Sequence, residues 1–305
     1  MPAVNKHTID KLKNHTQSEH QKTILTKISE LSDVTKMLTS FIPAFETAHI
    51  DKYGHAHLMG NFNLCGTVSG RLSSNEPNLQ NIPATGSRFA KPIKKCFSST
   101  NSEWVFVGAD FSALEDVIDA LKTKDPAKIK VFTKGYDGHC LRAYSYYPEL
   151  MPDIENTLES INSIKHKYPQ LRQASKPVSF AKLYGGTWMT LVNNCGLTEE
   201  NAKNIEARYD ELYKVSKDWV HQRMLEAQVN GYVTGAFGLR VRTPVLHQTK
   251  GDYTKNTKAS AEARTAGNAL GQGWGLLNDR AMNAVLRRAK EAGYQYDILP
   301  VAKIH

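Results

Sequence analysis

"GTVSGRLSSNEPNLQNIP", residues 66–83, is the stretch on which the reading of this chain turns. Glycine, asparagine and proline set close together favour tight turns over regular structure. From such a loop Arg71, Asn78 and Gln80 offer hydrogen-bond donors at close backbone range, which suits contact with a sugar-phosphate chain. An ordinary polar surface loop has the same composition, so the surrounding residues must decide between the two.

The chain has 305 residues, 40% of them hydrophobic, enough for a sizeable core and for one large or two modest domains. No run of about 18 apolar residues occurs, so a membrane span is not expected. The basic N-terminus is followed by no apolar core, so a secretory signal is not expected either and a cytoplasmic location is. Cys65, Cys96, Cys140 and Cys195 lie far apart without a CxxC pair and read as small buried hydrophobes. Lys plus Arg number 39 against 30 Asp plus Glu, a net charge of +9 that favours an anionic partner such as nucleic acid.

Ile24, Leu25, Ile28, Leu31, Leu38 and Phe41 recur at helical spacing, predicting an amphipathic helix over 20–41 that ends before Pro43. Residues 53–110 turn to Gly, Asn, Ser and Pro with short strand-like runs, the last being "WVFVGAD" (104–110), read as a buried strand. Residues 113–230 read as mostly helical, with Thr198 as an N-cap ahead of Glu199 and Glu200. "GYVTGAFGLRVRTP" (231–244) reads as a hairpin, residues 258–292 as helix, and the run from Tyr294 as strand again.

Three further segments carry chemistry. "GADFSALED" (108–116) delivers Asp110 at the end of the apolar run, a candidate metal ligand, although a turn or cap role fits an isolated Asp equally well. In "RQASKPVSFAKLYGG" (172–186), Arg172, Lys176, Phe180 and Tyr184 drift by only about 40° per step, so they share one helical stripe. Two cations can hold triphosphate oxygens while Phe180 packs on a nucleotide, and Gly185 can end the helix in a left-handed cap. Pro177 removes a backbone donor and disfavours helical geometry at Lys176, which predicts a kink or a late start. Arg264, Asn268 and Gln272 form another four-residue stripe, long donors able to reach minor-groove acceptors common to all correct base pairs; a solvated polar face is the plainer alternative. Arg240 and Arg242, with the lysines of the first 40 residues, are reasonable phosphate contacts.

Taken in order, 66–83, 108–116, 172–186 and 262–275 resemble the motifs of family A DNA polymerases, the class of bacterial DNA polymerase I and many tailed phages. "GYDGHCLRAYSYYPE", "NIEARYDELYKVS" and "AFGLRVRTP" look most similar to polymerases of T-five-like tailed phages. The resemblance implies an α+β right-hand polymerase fold: an antiparallel palm sheet, a mostly helical fingers insertion, and a thumb largely missing. Residues 1–50 would be a helical remnant of the thumb, 51–115 the first part of the palm, 116–280 the fingers and 281–305 the second part of the palm.

It further implies template-directed transfer of dNMP to a primer 3′-hydroxyl. Asp110 and the backbone carbonyl of Phe111 would bind Mg²⁺, of which two ions are expected in the complete enzyme roughly 3.5 to 4 Å apart. Glu115 would block a ribose 2′-hydroxyl, favouring dNTPs and disfavouring a related RNA polymerase. His139 in "DGH" would meet the triphosphate with Arg172 and Lys176, and Phe180 would discriminate against dideoxynucleotides, with Tyr184 on the same nucleotide-binding stripe. Arg71, Asn78, Gln80, Arg240, Arg264, Asn268 and Gln272 would contact primer-template DNA. The segment departs from the common pattern at Ala113, Asp116 and Val117, which unsettles the expected local salt bridging. The final "YDILPVAKIH" (296–305) looks like the strand that leads to a DNA-contacting His, here His305, followed by the second metal-binding Asp. A C-terminal partner fragment carrying that Asp is therefore expected, with little activity without it; the alternative is a non-catalytic DNA- and dNTP-binding half of a split polymerase.

Overall fold

A computed structural model describes residues 6–64, 66–83 and 86–301. In chain order the first half holds α1 (Lys6–His15), α2 (Glu19–Lys36), α3 (Ile42–Glu46), β1 (His49–Ile50), β2 (Ala56–His57), β3 (Asn61–Asn63), β4 (Ser73–Asn75), α4 (Ala90–Lys95), α5 (Leu114–Thr123), α6 (Pro126–Lys134) and α7 (Gly138–Tyr146). There follow α8 (Leu158–Lys167), α9 (Pro169–Leu183), α10 (Trp188–Cys195), α11 (Glu199–Leu212), α12 (Lys214–Asn230), β5 (Tyr232–Thr234), β6 (Arg240–Arg242), α13 (Pro244–Gln248), α14 (Thr257–Gly273) and α15 (Leu276–Glu291). The chain divides into two compact units, one comprising the residues up to Leu25 with Ala113–Trp274, the other Thr26–Ser112 with Gly275 onward.

The first unit is helical, with β5 and β6 as its one hairpin among the described residues. Caps start its helices where short polar side chains stand: Asp125 accepts from Ala127 N and Lys128 N, Asp137 from His139 N and Cys140 N, and Thr198 from Asn201 N. Three cores hold it. Ile161 and Ile164 of α8 pack with Cys140, Ala143, Met151 and Ile154. Val178 of α9 meets Tyr146, Leu191, Ala202 and Ile205. Val233, Val241 and Leu246 close on Ala227 and on Ala259, Ala263 and Ala266 of α14. Small residues let α14 lie close to α12: a Cβ on Gly267 would stand 2.8 Å from Val220 Cγ1 and 2.9 Å from Met224 Cε. The hairpin forms as expected, antiparallel with Val233 opposite Val241.

A polar node ties α5 into this unit. Arg142 is buried, its Nη2 donating to Asp116 Oδ2 at 2.8 Å and its Nε to the Tyr213 hydroxyl at 3.2 Å. Near it the Asp125 carboxylate also accepts from Ser216 N at 3.0 Å, joining the start of α6 to α12.

The second unit gathers Met37, Phe41 and Ile93 with Phe45, Ile82, Phe89 and Phe97. The helix predicted over 20–41 forms, but it does not stop before Pro43: a π turn at Met37–Phe41 passes directly into α3, where Pro43 occupies the first turn. Its apolar stripe is largely open, with Leu31 64% and Leu38 57% exposed.

The sheet differs from expectation. Among the described residues it consists of three separate two-stranded antiparallel ladders, β1–β2, β3–β4 and β5–β6, instead of one palm sheet. "WVFVGAD" is neither a strand nor buried: it has no regular structure, and Val105 and Val107 are 81% and 88% exposed. A strand is defined by a hydrogen-bonded neighbour, and 104–110 has none among the described residues. The described part of the run from Tyr294, as far as Val301, is not a strand either. Gly293, at φ 83°, ends α15, and Tyr294 N donates back to Ala289 O, so the chain turns at the point where it was expected to extend. Cys96 is exposed, unlike the buried cysteine expected there, while Cys140 is buried. No described helix is long and apolar enough to cross a membrane.

The node at Arg142 generates a stability prediction. Asp116→Ala leaves the guanidinium buried without its charge partner and is expected to cost about 3 kcal/mol, seen as a lower urea midpoint by circular dichroism. Adding Arg142→Met removes the stranded charge and should recover part of that loss.

Candidate active site

The stripe predicted on 172–186 exists. α9 begins at Pro169, upstream of Arg172, and continues through Pro177 to Leu183, so the expected late start does not occur. Its buried face is Ser175, Val178 and Ser179, held by Ser179 Oγ at 3.2 Å from the Tyr146 hydroxyl and by Lys182, which bridges Glu206 at 2.8 Å and Asp210 at 3.3 Å. That anchoring turns Arg172, Lys176, Phe180 and Tyr184 to the outer side, with Phe180 52% exposed.

The helix ends as Gly185 allows. At φ 75° it lets Gly185 N reach Lys182 O and Gly186 N reach Ala181 O, a Schellman closure. The same glycine admits α14: a Cβ there would stand 3.0 Å from Asn268 Nδ2 and 3.8 Å from Arg264 Cγ. Two of the three residues in the second stripe therefore lie against the end of the first. Gln272 is within α14, and its side chain lies outside the described residues.

Glu115 sits in the first turn of α5, where a carboxylate favours the helix dipole. It accepts from the Tyr184 hydroxyl at 2.5 Å, 69 residues away in sequence. His139 opens α7 beneath Arg172 and Lys176. Its backbone carbonyl accepts from Ser175 Oγ at 3.1 Å, and its Nδ1 is buried without a partner among the described residues. Burial first, then the nearby Arg142 and Arg172 cations, lower its pKa below the ordinary 6.5, so the neutral imidazole is favoured.

Asp137 was not foreseen. Besides capping α7, it accepts from Arg172 Nη2 at 2.8 Å and Nε at 3.2 Å. Burial pulls its carboxyl upward, but the Arg172 guanidinium and the α7 amides outweigh it and hold the pKa below the ordinary range. The Asp-Gly opening of a helix was the available signal; its pairing with Arg172 had none.

In the second unit, Asp110 and Phe111 lie on the exposed, irregular segment. Asn78 caps the short 3₁₀ turn Leu79–Asn81 by accepting from Gln80 N, so its oxygen has a local structural task. Arg71 lies in the turn that enters β4, and Leu79 is buried with its amide on Ser74 Oγ. Arg240 is exposed on β6 of the first unit, stacked 4.6 Å from the Tyr232 ring. His305 lies outside the described residues.

The family described as "DNA polymerase family A" matches residues 2–305. The chain belongs to DNA polymerase family A. Over 271 residues it is 29% identical to "DNA polymerase I, thermostable" of Thermus thermophilus, covering 88% of this chain and 30% of that one. It is 31% identical over 212 residues to DNA polymerase I of Bacillus subtilis, covering 70% of this chain and 22% of that one. The chain thus spans less than a third of the length of these curated relatives. Its fold is similar to that of the "POL domain of Pol1 from M. smegmatis complex with DNA primer-template and dNTP", with a TM-score of 0.68 and 24% identity, over 95% of this chain and 47% of that one.

The environment of His139 makes a pH prediction for this family A member. Its folded pKa lies below 6.5, so its neutral form contributes stability that is present above that value and is lost as pH falls toward the folded pKa. The imidazole is expected to titrate below 6.5 by NMR. Arg172→Ala removes a cation and frees Asp137, which should move the midpoint upward.

Proposed function

We propose that the chain forms the fingers and palm portion of a template-directed DNA polymerase that transfers dNMP to a primer 3′-hydroxyl. The observation that carries this reading is the convergence on one face of the α9 stripe, Glu115 bound to Tyr184, and Arg264 and Asn268 packed at Gly185. The fingers are residues 116–280, most of which fall in the first unit, and the palm is residues 51–115 and 281–305, most of which fall in the second. Residues 1–50 are the thumb-derived helical part.

Arg172, Lys176 and His139 bind the triphosphate, the two cations by charge-assisted hydrogen bonds and the neutral imidazole as a donor or acceptor. Phe180 stacks on the incoming nucleotide, and Tyr184 holds Glu115 where a ribose 2′-hydroxyl would intrude. Arg264, Asn268 and Gln272 test pair shape through minor-groove acceptors, while Arg71, Asn78, Gln80, Arg240 and His305 position the DNA. Asp110 is an exposed carboxylate on an irregular segment, and Mg²⁺ accepts one or two such oxygens together with waters and substrate phosphates. Asp110 and the Phe111 carbonyl would hold Mg²⁺, which supplies activation of the primer oxygen and charge neutralisation at the phosphates. The stretches similar to T-five-like phage polymerases support a phage-type branch.

A second reading, a DNA- and dNTP-binding polypeptide without its own chemistry, draws support from Asp110: among the described residues it joins no group of three potential metal ligands. Primer extension on a primed template separates the two. The polymerase reading expects incorporation that falls at least about a hundredfold in Asp110→Ala, whereas tight template binding with no incorporation supports the binder. For substrate choice, the unmutated chain is expected to prefer dNTPs, and Glu115→Ala to raise rNTP use relative to dNTP. Equal use of both nucleotides by the unmutated chain would overturn the role given to Glu115.

A further inference from the structure

The β1–β2 hairpin carries a cluster that polymerase chemistry does not use. Asp51 directly follows β1, and its Oδ1 accepts from Tyr53 N at 2.8 Å and His55 N at 2.9 Å, closing the turn through Gly54 at φ 84°. The other oxygen, Oδ2, is left to two imidazoles: His57 Nε2 stands 2.9 Å from it and His55 Nδ1 3.3 Å. All three potential ligand atoms lie within 4.8 Å of one another. His49 faces His57 across the ladder, and both line a cleft of about 420 Å³ together with Glu76.

The two separations from Asp51 Oδ2 are close to those of a coordination shell, and the two imidazole nitrogens, within 4.8 Å of each other, would draw together around an ion. Ligand atoms about 2.0–2.1 Å from a tetrahedral ion stand about 3.3 Å from one another, so the cluster needs only a small rearrangement to enclose one. Two imidazole nitrogens and one carboxylate suit a late first-row divalent ion and do not suit Mg²⁺, which takes oxygen ligands.

We propose that Asp51, His55 and His57 bind a Zn²⁺-class ion, with the fourth position open to water or to His49. The ion would cross-link the two arms of a hairpin only two residues deep on each side, a length that is marginal on its own. It would thereby fix the chain that leads into β3 and the 66–83 loop. This site is separate in residues and in ion preference from Asp110.

The test is calorimetric titration of the EDTA-treated, dialysed protein with ZnCl₂, NiCl₂ and MgCl₂, read alongside the imidazole resonances by NMR. One Zn²⁺ per chain should shift the His55 and His57 rings, and Mg²⁺ should leave them unmoved. Asp51→Asn keeps an oxygen to cap the turn but replaces the ligand oxygen, and should weaken Zn²⁺ at least tenfold; His57→Gln should do the same. The chain has 11 histidines, so Zn²⁺ bound with unchanged affinity in Asp51→Asn and His57→Gln would place it elsewhere and overturn the proposal. Unmoved His55 and His57 rings at one equivalent of Zn²⁺ would overturn it as well. Should Asp51→Asn lose its fold by circular dichroism, His55→Gln, whose side chain is 43% exposed, decides by the same tenfold criterion.

Discussion

The arrangement of the helical unit depends on where two adjacent carboxylates point. Asp116 turns inward to a guanidinium that is itself buried against Tyr213, and Glu115 turns outward to the phenol of Tyr184. Neighbouring positions on a helix are about 100° apart, so fixing one fixes the other. A buried cation left without its anion is far more costly than a surface pair is helpful. The inward pair therefore sets the rotation of α5, and through it the position of Glu115.

The same dependence on one well-placed group recurs at Gly185. The residue ends α9, and its missing side chain is the space into which Asn268 fits. One backbone requirement thus serves both the termination of a helix and its contact with α14. Asp137 likewise caps α7 and holds Arg172, so the cation on α9 is set by the start of another helix.

Features that depend on nearby residues were legible in the sequence. Helical spacing located the α9 stripe, Thr198 announced α11, and glycines marked the β5–β6 hairpin and the end of α9. Features that depend on a distant partner were not. The strand expected at 104–110 needs a neighbour that no local pattern specifies, and apolar content alone did not make it a strand. Asp116 finds its partner Arg142 26 residues downstream, and Arg172 finds Asp137 across 35 residues. In each case the residue was visible, but its partner was not.

Pro177 gives α9 an uneven stiffness. With no amide hydrogen at that position, the carbonyl of Gln173 lacks its usual partner one turn along, and Gln173 lies on the exposed side, where water can take its place. The missing rung falls between the cations Arg172 and Lys176 and the aromatics Phe180 and Tyr184. Considered as a beam, α9 is two stiff segments joined at a compliant point, one segment bearing charge and the other bearing rings.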